Sequence, residues 1–367
     1  MPTNMPTKLL PRKAEIPASH TAPAQSATEQ NARRAQWRSL LREDILEPEL
    51  PIIDAHHHLW ERHGNRYLIS EFMADANSGH NIRASVFIDC GSFYRNSGPA
   101  LMAPVGEVEF ANGIAAMAAS GAYGGTLVCA GIVSSADISI GADVAQVLDA
   151  QIAAGGGRFR GIRVTTKWDA DEALNTGRYI VPRGLMQDGD FRAGFATLAP
   201  RRLSFDAMVY HHQLLELADL ARAFPDTTIV LNHIGGLLAY TRNYVARKDE
   251  AIALWRSNMT ALAKCPNVFV KLGGLGMPYL GLGFDKLDAP APSAQLAEAW
   301  GPLFTHCIDQ FGPARCMFES NFPPDNGSVS YPVIWNTFKR IAARYSADEK
   351  RALFYGAAVT AYRLNLQ

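Results

Sequence analysis

The sequence predicts a single α/β domain, a (β/α)8 barrel, and three observations carry that expectation. From Pro51 onward, short apolar runs alternate with longer helical patterns, and the alternation repeats eight times. The runs are rich in Val, Ile, Leu and Phe without clean alternation, as parallel strands covered on both faces are. Six of the ten histidines, His56, His57, His58, His211, His212 and His233, stand at the ends of these runs. Imidazoles ligate metals, relay protons and polarise carbonyls, so the pattern suggests an active site assembled from several strands.

In order, the strands are expected at 52–56, 83–90, 126–133, 159–165, 204–211, 228–233, 267–272 and 316–321. Helical patterns follow at 105–120, 141–154, 191–198, 213–224, 249–264, 293–311 and 331–345, with a closing helix at 347–362. Strand–helix units in this order favour a parallel sheet with right-handed crossovers. Eight of them suit a closed barrel better than an open doubly wound sheet. No Gly-x-Gly-x-x-Gly follows a strand; Gly155-Gly156-Gly157 precedes one, so a dinucleotide site has no support.

Residues 1–35, rich in Pro, Ala, Thr, Ser and Gln, lack the apolar segment of a secretory signal and read as a flexible arm. A short helix over 36–47 leads into the barrel. The expected organisation is an arm over 1–48 and a barrel domain over 49–367.

Composition narrows the function classes. Lys plus Arg and Asp plus Glu are 35 each, and no basic run carries interleaved aromatics, which argues against nucleic acid. No apolar stretch approaches the roughly 20 residues of a membrane span. The five cysteines are odd in number and widely spaced, so no disulfide framework is expected and a reduced cytoplasm fits. A small-molecule substrate is the expected partner; a homodimer is left open.

Asp54, His56 and His58 share one face of the first strand, and His57 points the other way as a structural residue. His233 is followed by a Gly pair that lets backbone or ligand come close. His211 and His212 cannot both face the lumen; one is expected to serve the site. Arg163 offers a fork for a carboxylate, or else a salt bridge within the barrel. Lys271, a charge inside an apolar strand, needs either Glu319 or a substrate anion as partner. Glu319 and Asn321 share a face of the eighth strand, where a carboxylate can act as base or ligand and an amide cannot be a base. Long connections around Tyr94 and over 273–283 are expected to cover the substrate, with Trp168 in the same wall.

With these motifs in order, the chain resembles the amidohydrolase superfamily. The similarity points to the amidohydrolase-related branch, which includes lactonases of 2-pyrone-4,6-dicarboxylate, sulfomuconolactone and sugar acids. His56 and His58 match the strand-one His-x-His, and Arg160-Gly-Ile-Arg163 the strand-four motif. His211 best matches the strand-five histidine, with His212 open. Asn232-His233-Ile-Gly235 stands for Asp-His-x-Gly, and Lys271–Gly274 is Lys-Leu-Gly-Gly. The strand-eight Gly-Ser-Asp-Trp-Pro becomes Glu319-Ser-Asn-Phe-Pro323, so the family's base aligns with Asn321. Glu319 ranks first as substitute, with Asp325 reaching in from the loop and loss of hydrolysis as the other outcomes.

The resemblance implies a hydrolase that opens a carboxylated lactone or related small cyclic ester at the barrel mouth. His56, His58, His211, His233, Glu319 and Asn321 would be catalytic; Arg163, Lys271, Tyr94 and Trp168 would bind substrate. His56, His58 and His233 could hold a divalent ion, zinc first, and a metal-free site is equally open. A zinc-dependent decarboxylase-type lyase and a catalytically silent binder of a small acid are the alternatives.

Overall fold

Eight parallel strands succeed one another in chain order around one sheet in the computed structural model, which describes residues 24–62, 64–175 and 179–366. They are β1 Pro51–His57, β2 Asn81–Ile88, β3 Leu127–Ser134, β4 Phe159–Thr165, β5 Ser204–Met208, β6 Ile229–Leu231, β7 Val268–Leu272 and β8 Cys316–Phe318. The ring closes just past β8, where Asn321 N–H donates to His56 O at 2.9 Å and His58 N–H to Phe322 O at 2.8 Å. The result is a (β/α)8 barrel, as expected. Helices such as Val105–Ala119, Leu214–Ala223 and Ser293–Phe311 pack outside it.

Two cores follow from this layering. The outer one lies between strands and helices; in it Phe318 stacks on Phe338 and Phe354 with ring centroids 4.7 and 4.6 Å apart. Full burial of each such ring stabilises by roughly 1.5–3 kcal/mol. The inner core fills the lumen with Ile53, Ala55, Val86, Ile88, Val230 and Met317. Ala357, Ala361 and Tyr362 plug it from one end. The expected closing helix is interrupted by a π turn, Ala352–Gly356, ahead of Ala357–Tyr362.

Several boundaries differ from the sequence reading. β5 stops at Met208 because Gln213 rebuilds the chain as a turn, its Oε1 accepting from Tyr210 N–H at 3.2 Å. β6 stops at Leu231 because His233, Ile234 and Gly235 adopt left-handed φ of 52°, 50° and 79°. Between β1 and β2 lie a small hairpin, Trp60–Arg62 with Asn65–Tyr67, and a helix, Ile69–Ala76.

The amino-terminal helix is Ala24–Ser39, not 36–47. Residues 40–46 leave the helical path because tertiary partners take their backbone: Asn336 accepts from Leu46 N–H, and Lys339 donates to Leu46 O and Glu47 O. Residues 1–23 of the expected arm lie outside the described residues. No helix among the described residues is long and apolar enough to cross a membrane, and all five cysteines are free thiols.

Candidate active site

At the carboxyl ends of the strands a cavity of about 340 Å³ opens, with His58, Asp89, Arg163, Lys167, His233 and Asn321 in its wall. This is the face on which barrels of this class carry their chemistry.

A bulge in β1 delivers its histidines. The register with β2 slips between Asp54 and His57, and one extra residue reverses which face follows. Asp54 therefore does not share the histidines' face. It points outward, accepting from Ser320 N–H and Oγ and from Tyr331 OH, and burial pushes its pKa up to about 6. His57 also turns outward, stacked on Phe72 at 4.3 Å with Ser85 Oγ 2.9 Å from its Nε2. His56 and His58 turn inward, their Nε2 atoms 3.1 Å apart.

Two of the inward imidazoles have Nδ1 backed by an acceptor, whereas His56 Nδ1 faces the Lys271 ammonium at 3.2 Å. His58 Nδ1 bonds to Ile88 O at 2.8 Å, and His233 Nδ1 bonds to Glu319 Oε1 at 2.6 Å. His56 Nδ1 lies 2.8 Å from Glu319 Oε2, off the axis of a hydrogen bond, so that buried oxygen has no hydrogen-bond partner. In His58 and His233 this backing fixes the tautomer and leaves Nε2 as the ligating or proton-accepting atom. Burial, and next the Lys271 ammonium, hold His56 well below the usual imidazole range; burial and Arg163 do the same for His58. Neutral imidazoles are the form a metal binds.

The donor set fits a divalent ion. His56, His233 and Glu319 bring one ligand atom each to within 4.8 Å of one another. Two tetrahedral zinc ligands at about 2.0–2.1 Å from the ion stand roughly 3.3 Å apart, close to the His56–His58 separation.

Cations border the imidazoles. Arg163 Nη1 lies 3.3 Å from His56 Nε2, and its Nη2 donates to Asp89 O, with Asp89 Oδ2 at 3.7 Å. Lys167 reaches the cavity between the rings of Tyr210 and Tyr279, each 5.4 Å from its Nζ.

Other expected residues sit elsewhere. Lys271 is sealed beneath His56 and pairs with Asp206 Oδ2 at 2.8 Å, so neither Glu319 nor a substrate is its partner. Glu319 is fully buried under His56 and His233 and does not line the cavity, which removes it as the direct base for water. Asn321 does line it; its Nδ2 donates to Asp325 Oδ1 at 2.6 Å, and burial raises the Asp325 carboxyl well above its usual range. His211, carried past β5 by the Gln213 turn, faces Tyr244 with ring centroids 5.2 Å apart. Trp168 and His212 line a second cavity of about 560 Å³ beside the first. Tyr94 donates to Asp89 Oδ1 at 3.2 Å, so it braces the wall.

Asp206 and Asp89 escaped the sequence reading. Asp206 and Lys271 are opposite charges inside apolar strands, and that pairing was the available signal. Asp89 follows β2 directly, beside no motif, and nothing in its neighbours marks it.

A family model described as Amidohydrolase matches residues 53–364. The chain belongs to the amidohydrolase family. This amidohydrolase is 32% identical over 338 residues to "Uncharacterized protein y4mH" of Sinorhizobium fredii, covering 86% of this chain and 99% of the relative. It is 29% identical over 212 residues to L-fucono-1,5-lactonase of Burkholderia multivorans, covering 57% of this chain and 64% of the relative. Among solved structures it resembles a Burkholderia multivorans amidohydrolase with bound zinc. There the TM-score is 0.66 at 24% identity, over 86% of this chain and 99% of the other, a likeness of fold.

Proposed function

We propose that this amidohydrolase hydrolyses a carboxylated lactone or related small cyclic ester. The observation that carries the reading is the convergence of His58 and His233 with Arg163 and Lys167 in the wall of one cavity, the buried His56 ring packed against both imidazoles. The 29% identity to a sugar-acid lactonase supports the same class.

His56, His58 and His233 would hold a divalent ion, zinc from the imidazole donors and the zinc-bound neighbour, which when bound would polarise the ester carbonyl. The chain's own groups do the remaining work. Arg163 and Lys167 draw in the substrate's carboxylate and turn the ring ester toward the imidazoles. Asn321, its Nδ2 spent on Asp325, presents its amide oxygen to the attacking water. Glu319 holds the His233 ring in place through its Nδ1. Water oxygen bonds to the carbonyl carbon, the proton it gives up passes to the ring oxygen, the ring C–O bond breaks, and the product is the open-chain hydroxy acid.

The test is a pH-stat assay over paired lactones with and without a carboxylate, using protein of measured zinc content. Ring opening with preference for the carboxylated members is expected. No lactone turnover, together with carbon dioxide release from aromatic acids, would replace this reading with a decarboxylase.

A further inference from the structure

The shortest hydrogen bond that holds Arg163 runs to a peptide group. Arg163 Nη2 donates to the carbonyl oxygen of Asp89. The N–H of that same planar unit, on Cys90, donates to Glu107 Oε1 at 3.0 Å. Ser92 N–H donates to the same oxygen at 3.0 Å, and Ser134 Oγ to Oε2 at 3.2 Å. Glu107 is wholly buried in the first turn of helix Val105–Ala119 and does not line the cavity. The helix lies directly on this turn: a Cβ on Gly106 would come within 2.5 Å of Phe93 O.

A peptide plane is rigid, so the carboxylate that aims the Cys90 N–H also aims the Asp89 carbonyl. Charge at one end of the unit polarises the other, which strengthens the carbonyl as an acceptor for the guanidinium. Asp89 Oδ1 accepts from Gly91 N–H and Tyr94 OH, both at 3.2 Å, and its Oδ2 stands farther from the guanidinium, at 3.7 Å. The carbonyl is thus the nearest of the guanidinium's partners, closer than His56 Nε2 at 3.3 Å or Asp89 Oδ2 at 3.7 Å.

We propose that Glu107 is a positioning residue for Arg163, setting the direction in which the guanidinium meets the substrate's anion. The inference rests on the reading above that Arg163 receives a carboxylate. Glu107→Gln keeps the clamp: its amide oxygen accepts both N–H groups, and its NH₂ meets a Ser134 hydroxyl that can accept. Glu107→Ala frees the peptide to turn.

The experiment measures kcat and KM of both variants on a carboxylated and an uncharged lactone. The alanine variant should raise KM for the carboxylated lactone about tenfold, with kcat and the uncharged lactone changed less than about twofold, and glutamine should restore KM. Equal losses on both lactones, or glutamine as damaging as alanine, would overturn the proposal. If the wild type opens no lactone, the hydrolase reading fails by itself, and citrate binding by calorimetry becomes the readout. Alanine should then weaken citrate about tenfold and glutamine should not. Equal affinities, or a wild type that binds no citrate, would sink the positioning role. Should Glu107→Ala not fold, Glu107→Asp, one methylene short of the turn, takes its place.

Discussion

Lys271 Nζ lies 2.8 Å from Asp206 Oδ2, and both side chains are shut off from solvent. Tyr362 OH and Asn232 Nδ2 donate to the same oxygen at 2.8 and 3.0 Å, so the pair forms the floor under His56. Removing one partner strands a buried charge. Lys271→Met should cost about 3–5 kcal/mol in urea unfolding. The double variant Lys271→Met/Asp206→Asn should recover part of that loss. A single variant as stable as wild type would show that the pair is not charged as drawn.

Glu319→Gln tests the carboxylate beneath the imidazoles. It leaves the cavity wall intact but weakens the backing of His56 and His233. Zinc affinity or turnover should fall about 10–100-fold, the scale of such outer partners. Metal content after dialysis against a graded chelator, with kcat alongside, reads the effect. Unchanged values in both would mean that neither imidazole relies on it.

The outward His57 predicts a pH dependence of stability. Burial pulls its pKa down to about 3, so it folds neutral. The unfolded chain takes up a proton below about pH 6.5, and stability present above that value is lost as pH falls. Between pH 7 and 5 this histidine should account for about 2 kcal/mol of the decline. Urea curves of wild type and His57→Gln at the two values isolate it, because the other buried histidines are common to both. Parallel slopes would refute the assignment.

Gly274 sits at φ +74°, and a Cβ there would stand 2.5 Å from His233 Cγ and Nδ1. Gly274→Ala must push the imidazole off Glu319. A shift of the order of 1 Å in a catalytic group costs about 10²-fold in rate. The drop should appear in kcat with a melting temperature that falls only a few degrees. A fully active Gly274→Ala would show that the His233 placement tolerates movement.

The barrel was legible in the sequence because eight buried parallel strands need apolar runs at a regular spacing. The inward placement of His56, His58 and His233 was legible for the same reason, since strand ends point at the mouth. What was not legible depends on local irregularity. The bulge that turns Asp54 outward adds one residue of register and leaves no composition signal. The turn that carries His211 away from the cavity is set by the Gln213 side chain, whose type fits a helix start equally well. Glu319 and Lys271 were recognised as charges needing partners, but the choice of partner depended on Asp206, three strands from Glu319 around the ring.

The seam between β1 and the segment after β8 supplies His56 and His58 from one side and Asn321 from the other, joined by two backbone hydrogen bonds. A partly assembled intermediate in which that seam is still open holds no complete catalytic centre, however native its other strands. Recovery of turnover after dilution from denaturant therefore requires that seam to have closed, and should lag behind the return of far-ultraviolet dichroism.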